Sequence, residues 1–166
     1  MGVTTSSTVA ATYEPIATTT LGSATLSYTF NSIPGTYTDL ILIYQGGSGD
    51  VFSLQFNSDT GSNYSYTRLL GNGSSASSSR ENDISIAKLG GVPSTQNIVI
   101  AHIQNYANTS TYKTVISRGN APENNVTSYV SLWRNTNAIT SIKCQNDSAT
   151  NLPAGLVLTL YGIKAA

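Results

Sequence analysis

The sequence predicts an all-β protein, an antiparallel β-sandwich of jelly-roll-like type with an extended N-terminal arm. Three observations predict it. Apolar residues alternate with polar ones, or fill short runs, in about ten brief segments. Glycine, proline and asparagine separate those segments. No stretch repeats its apolar residues at a helical period between helix caps. The long connections suit Greek-key crossings better than simple hairpins. No compositional break divides residues 13–166, so they read as one domain, and residues 1–12 as a separate arm.

Residues Met1–Thr12 (MGVTTSSTVAAT) hold no periodicity and almost no large apolar side chains. They read either as a loose terminus or as an extended arm that orders on a neighbouring subunit. Tyr13–Thr20 is a first strand, with Pro15 suited to a sheet edge. In Ala24–Phe30, Leu26, Tyr28 and Phe30 alternate with Thr25, Ser27 and Thr29, the pattern of a half-buried strand.

Thr38–Tyr44 (TDLILIY) organises the chain. Ile33-Pro34-Gly35 and Gly46-Gly47-Ser48-Gly49 bound it, and its β-branched run is too short for a helix. Leu40 and Leu42 point to one side of the sheet, Ile41 and Ile43 to the other. Apolar residues on both sides predict that both faces are covered. Ile98–Ile103 and Leu156–Ile163 share the property. The remaining expected strands are Val51–Phe56, Tyr64–Leu70, Ile84–Ala87, Gln96–Ile103, Tyr112–Arg118, Ser128–Arg134, Ala138–Gln145 and Gly155–Lys164. Between two of them, Gly71–Asn82 (GNGSSASSSREN) is polar and of low complexity, and is expected to be a long surface loop.

Composition narrows the function classes. Charged residues are 10% of the chain and the formal net charge is zero, where an average domain is about 25% charged. Serine, threonine and asparagine, roughly a third of the chain, supply the polarity instead. Such a surface offers no basic footprint for nucleic acid and no cationic face for anionic lipid. It also does little to oppose self-association. One cysteine excludes an internal disulfide framework. No signal-peptide pattern or run of transmembrane length occurs, which points to synthesis in a cytoplasm.

Groups suited to catalysis are few. His102, the one histidine, lies within an apolar strand and reads as structural. Cys144 shares a strand face with Ile142 and reads as a small buried hydrophobe. The acids are scattered, and no serine sits in a G-x-S-x-G elbow. Asn57, Asp59 and Asn63 place oxygens at alternating positions, but no bidentate glutamate follows as in a calcium loop. A hairpin turn with Gly61 at positive φ is the expectation there. No catalytic, cofactor or metal site is predicted.

Trp133 has two readings. Tyr129 and Trp133 share one face of a strand, Val130 and Leu132 the other. Either one face is core and a neighbouring loop covers the other, or the aromatic pair anchors a subunit contact or a sugar. A two-layer sandwich has one inner face per sheet, so strands apolar on both sides call for a cover from outside. A ring of identical subunits supplies one.

Three stretches carry a resemblance: Tyr13–Gly22 (YEPIATTTLG), Phe56–Gly73 (FNSDTGSNYSYTRLLGNG) and Leu132–Ile142 (LWRNTNAITSI). With Ile33–Leu40 and Leu158–Ile163, the likeness covers most of the chain. They resemble a family of small structural proteins of tailed bacteriophages, including phages of cyanobacteria. The resemblance implies a non-enzymatic virion protein. Its preferred form is a capsid cement (decoration) protein, trimeric, bound to the major capsid protein on the virion surface and touching neither nucleic acid nor membrane. The candidate subunit or capsid contacts are Val3, Thr4, Thr5 and Val9 of the arm, with Tyr13, Ile16, Tyr129 and Trp133. The alternative is a tail or fibre adhesin that binds host glycans through Tyr64, Tyr66, Trp133 or the Gly71–Asn82 loop.

Overall fold

A computed structural model describes residues 12–91 and 97–164. The described residues form twelve strands: β1 (Tyr13–Thr20), β2 (Ser27–Phe30), β3 (Asp39–Gly46), β4 (Phe52–Phe56), β5 (Tyr64–Gly71), β6 (Ala76–Ile84), β7 (Ala87–Gly90), β8 (Asn97–Gln104), β9 (Lys113–Ala121), β10 (Asn125–Trp133), β11 (Ile142–Asn146) and β12 (Val157–Ile163). They make an antiparallel β-sandwich of two unequal sheets. The large sheet has eight strands in the order β1-β12-β3-β8-β9-β10-β5-β6, and the small one four, β2-β11-β4-β7. The expected sandwich is therefore present, but its strands divide eight and four. Only β8, β9 and β10 run as consecutive neighbours across the centre of the large sheet.

β3 lies between β12 and β8, near the middle of the large sheet. Leu40, Leu42 and Tyr44 point inward and are buried. They meet Val99, Ala101 and Ile103 of β8 and Leu158 and Leu160 of β12 across the strand pairs. From the small sheet, Phe52, Leu54, Phe56, Ile142 and Cys144 close the same core. Alternation on the pleat explains why every second residue of these strands enters it.

β7 shows how the two sheets close on one another. It is an edge of the small sheet, and its carbonyls turn toward the large one. Ser117 Oγ donates to the Leu89 carbonyl and Ser131 Oγ to the Lys88 carbonyl, each at 2.7 Å. The approach requires small residues. A Cβ at Gly90 (φ +110°) would lie 2.5 Å from Thr127 Oγ1, and one at Gly119 3.1 Å from the Gly91 nitrogen. Lys88 then ties β7 down from the side, with its ammonium 3.0 Å from Glu81 and 2.9 Å from Asp147.

Three expectations are corrected. Most of Gly71–Asn82 is not a loop: β6 begins at Ala76 and pairs with β5 along its length. Asn72 builds the turn, its Oδ1 accepting from the nitrogens of Ser74 and Ser75 at 3.0 and 2.8 Å. β6 is polar because it is an edge strand with little to bury; backbone pairing with β5 holds it, with ion pairs from Glu81 to Lys88 and from Asp83 to Arg134. Secondly, Ile84 ends β6, so the strand expected at 84–87 starts instead at Ala87. Thirdly, the positive φ angles of the 57–63 turn fall on Asn57 and Ser58, at 52° and 58°, and not on Gly61. Two adjacent left-handed residues and an Asp59 N–H bond to the Phe56 carbonyl (2.9 Å) make a type I′ turn. The face of the large sheet that carries Ile41 and Ile43, for which a cover from outside is expected, has no second layer among the described residues.

Candidate functional site

That outward face is the candidate site, an interaction surface and not a cleft. Strand pairing aligns its side chains in rows that run across the sheet. One row holds Tyr161, Ile41, His102, Ile116 and Val130. The next holds Ile43, Ile100, Arg118, Ser128 and Leu69. A third adds Val157, Ile98 and Val126. Ile116 is 43% exposed and Val130 48%. Scattered apolar residues are ordinary on a protein surface, whereas a contiguous field across six strands marks an interaction site.

A shallow depression of about 410 Å³ in the field is lined by Ile41, Ile100, Ile116, His102 and Arg118 with Tyr13 at its side. Ser128 in the second row and Gln45 and Asn120 in the third interrupt the aliphatic surface, and two charged groups do so as well. His102 Nε2 lies 2.8 Å from Asp39 Oδ2, while Asp39 Oδ1 accepts from the Asn105 backbone at 2.7 Å. Arg118, on the neighbouring strand, is exposed and makes no ion pair among the described residues.

The contacts expected from sequence are dispersed. Val3, Thr4, Thr5 and Val9 lie outside the described residues, as does the arm up to residue 11. Tyr13 is largely exposed and borders the outward face. Ile16 sits at the bulge between Pro15 and Ala17 and packs partly against the core. Tyr129 and Trp133 are corrections. They are 2% and 1% exposed, on the inward side of β10, and therefore cannot reach a partner or a sugar. Trp133 is stacked on Tyr64 with ring centroids 6.2 Å apart, and its Nε1–H donates to Asp59 Oδ2 at 2.7 Å. Tyr64, the other expected sugar platform, is fully buried as well.

The Asn57–Asn63 segment is a structural turn. Besides Trp133, Asp59 accepts from Asn63 Nδ2 at 2.9 and 3.1 Å and from the Gly61 nitrogen at 2.9 Å. Burial by itself would raise its pKa, but these donors outweigh burial and hold it below the ordinary carboxylate value. Among the described residues no group of three or more His, Cys, Asp or Glu is placed to hold a metal ion. Cys144 is buried between Leu54 and Tyr28 in its sheet, and burial pushes its thiol upward, away from the reactive thiolate. Among the described residues no helix is long and apolar enough to cross a membrane.

Sequence reasoning singled out Ile41, Ile43 and the 98–103 run, but not Ile116, Val126, Val130 or Arg118. The signal was present. Val115-Ile116 and Tyr129-Val130 put apolar residues at both parities of a strand, the same mark that β3 carries. No protein-family model matches the chain, and neither a curated protein nor a solved structure matches it.

Proposed function

We propose that the chain is a virion structural protein of the capsid-cement kind, which acts by binding surfaces and not by transforming a substrate. One observation carries the associative part of this reading: the outward face of the large sheet is a largely apolar field with no cover among the described residues. The virion part rests on the resemblance of Tyr13–Gly22, Phe56–Gly73 and Leu132–Ile142 to phage structural proteins. A neutral, hydroxyl-rich exterior with few charges agrees with a role beside other proteins. Contacts made only in the assembled shell stabilise it by mass action, because the separated capsomers do not bind them. The adhesin alternative loses two of its sugar platforms, since Tyr64 and Trp133 lie in the core, and keeps half-buried Tyr66 and the exposed 72–75 turn.

Copy number tests the proposal. Quantitative mass spectrometry of purified virions is expected to find this chain at a count comparable to the major shell protein. A count lower by orders of magnitude would place it on the tail or a single vertex and end the cement reading. Emptied capsids stripped of the chain should bind it back from solution.

A further inference from the structure

No described residue covers the outward face, and its shape, extent and charge fit another copy. We infer that a second copy of this chain covers it, face to face across a two-fold axis. The inference goes beyond the cement proposal and holds whether or not the chain belongs to a virion.

Shape comes first. A twisted, pleated sheet packs best on a second sheet of the same twist, and an identical face supplies one. Extent is next. Six strands spaced about 4.8 Å apart, with three rows of side chains about 7 Å apart, give a footprint of roughly 600 Å² per copy. Two copies would bury about 1,200 Å², the lower end of the range for a specific interface. A weak dimer, dissociating at micromolar concentration, is the outcome expected for that area.

Charge then selects the occupant. Arg118 is a cation without an ion-pair partner among the described residues. Asp39, two strands away on the same face, retains 20% exposure of its side chain after binding His102. A two-fold contact makes every pairing twice. An axis lying between these residues sets Arg118 against Asp39 of the second copy, and Asp39 against Arg118 of the second copy. The chain's formal net charge of zero leaves little repulsion between copies.

Sedimentation of the full chain from about 1 to 100 µM tests this. A dimer mass is expected at the upper concentrations. Ile116→Lys and Val130→Lys, at positions exposed enough to accept lysine without disturbing the core, should each weaken dimerisation at least about tenfold. Arg118→Glu should weaken it similarly. Leu26→Lys, 62% exposed and outside the large sheet, should leave it unchanged. Four results would overturn the inference: a monomer up to about 100 µM, a trimeric mass, a dimer indifferent to both lysine variants, or a dimer lost on deleting residues 1–11. A monomer that rebinds emptied capsids, but fails to do so as Ile116→Lys, would assign the face to the shell. A dimer absent from virions would leave the inference standing and end the cement proposal.

Discussion

The two faces of the large sheet are built by the same strands from similar apolar side chains, yet one is a core and the other a surface. Inward, side chains of mixed size, from Ala101 and Val99 to Leu42, Tyr44 and Trp133, fill the gap to the small sheet. Outward, isoleucine and valine form a lower field interrupted by His102, Arg118, Ser128, Gln45 and Asn120. Strand propensity does not separate the two, because β-branched and aromatic residues both favour a pleated surface. What separates them is cover. Side chains of every size pack where a second layer meets them, Val99 and Ile103 included, and stiff β-branched ones can also stay half-exposed with little rotamer freedom to lose.

Two adjacent residues of β3 test the contrast most severely. Leu42 is buried between Ala101 and Leu160, while Ile43, next in the chain, faces outward. Leu42→Ala removes atoms from a closed core and leaves a cavity, so a loss of about 3 kcal/mol is expected. Urea titration with an unchanged slope would measure it. A loss under about 1 kcal/mol would mean that the inner face is loosely packed, and the distinction between faces would fail.

The inner face also contains a polar lock, at Asp59. Asp59→Ala leaves the Trp133 indole N–H without its acceptor and frees the 57–63 turn. A cost of about 2 kcal/mol is expected. The same carboxylate contributes an acid limb. Its pKa is lower in the fold than in the unfolded chain, so its contribution is complete above the unfolded value of about 4 and is lost as pH falls through the folded value. Asp50 and Glu81 shift in the same direction, so wild type should lose stability below about pH 4. Asp59→Asn should lose less on acidification than wild type. An acid limb identical in the two proteins would show that Asp59 plays no part in it.

Much of this was legible in the sequence, for a physical reason. Period-two apolarity is local, so β3, β8 and β12 could be read from their own residues. Alternation also separated Tyr129 and Trp133 from Val130 and Leu132, but it could not say which pair was inside. That depends on the small sheet, which supplies Phe56 beneath Trp133 at 5.5 Å between centroids. β6 was illegible for the opposite reason. Its residues ASSSRENDI bury little, and its strand state rests on pairing with β5. The candidate surface was half legible. Ile41 and Ile43 signalled an outward apolar face, whereas its extent follows from the β8–β9 and β9–β10 registers, which set Ile116 beside both His102 and Val130.

The smallest expected effect is the most discriminating. Ile43→Thr keeps a β-branched side chain on the outward face, so in a dilute monomer its cost should stay within about 0.5 kcal/mol. If a second copy covers the face, that cost depends on concentration. Free protein at about ten times the dimer Kd stabilises the folded chain by about 1.4 kcal/mol, and a variant that no longer dimerises forgoes this. The difference between wild type and Ile43→Thr should therefore widen by about 1 kcal/mol as the protein concentration rises from about 1 to 100 µM. Leu42→Ala loses contacts inside one copy, so its deficit is expected to change little over the same range. Parallel behaviour of the two variants would mean that the outward face gains nothing from association. Divergence would show that its aliphatic field is a core completed by a second molecule.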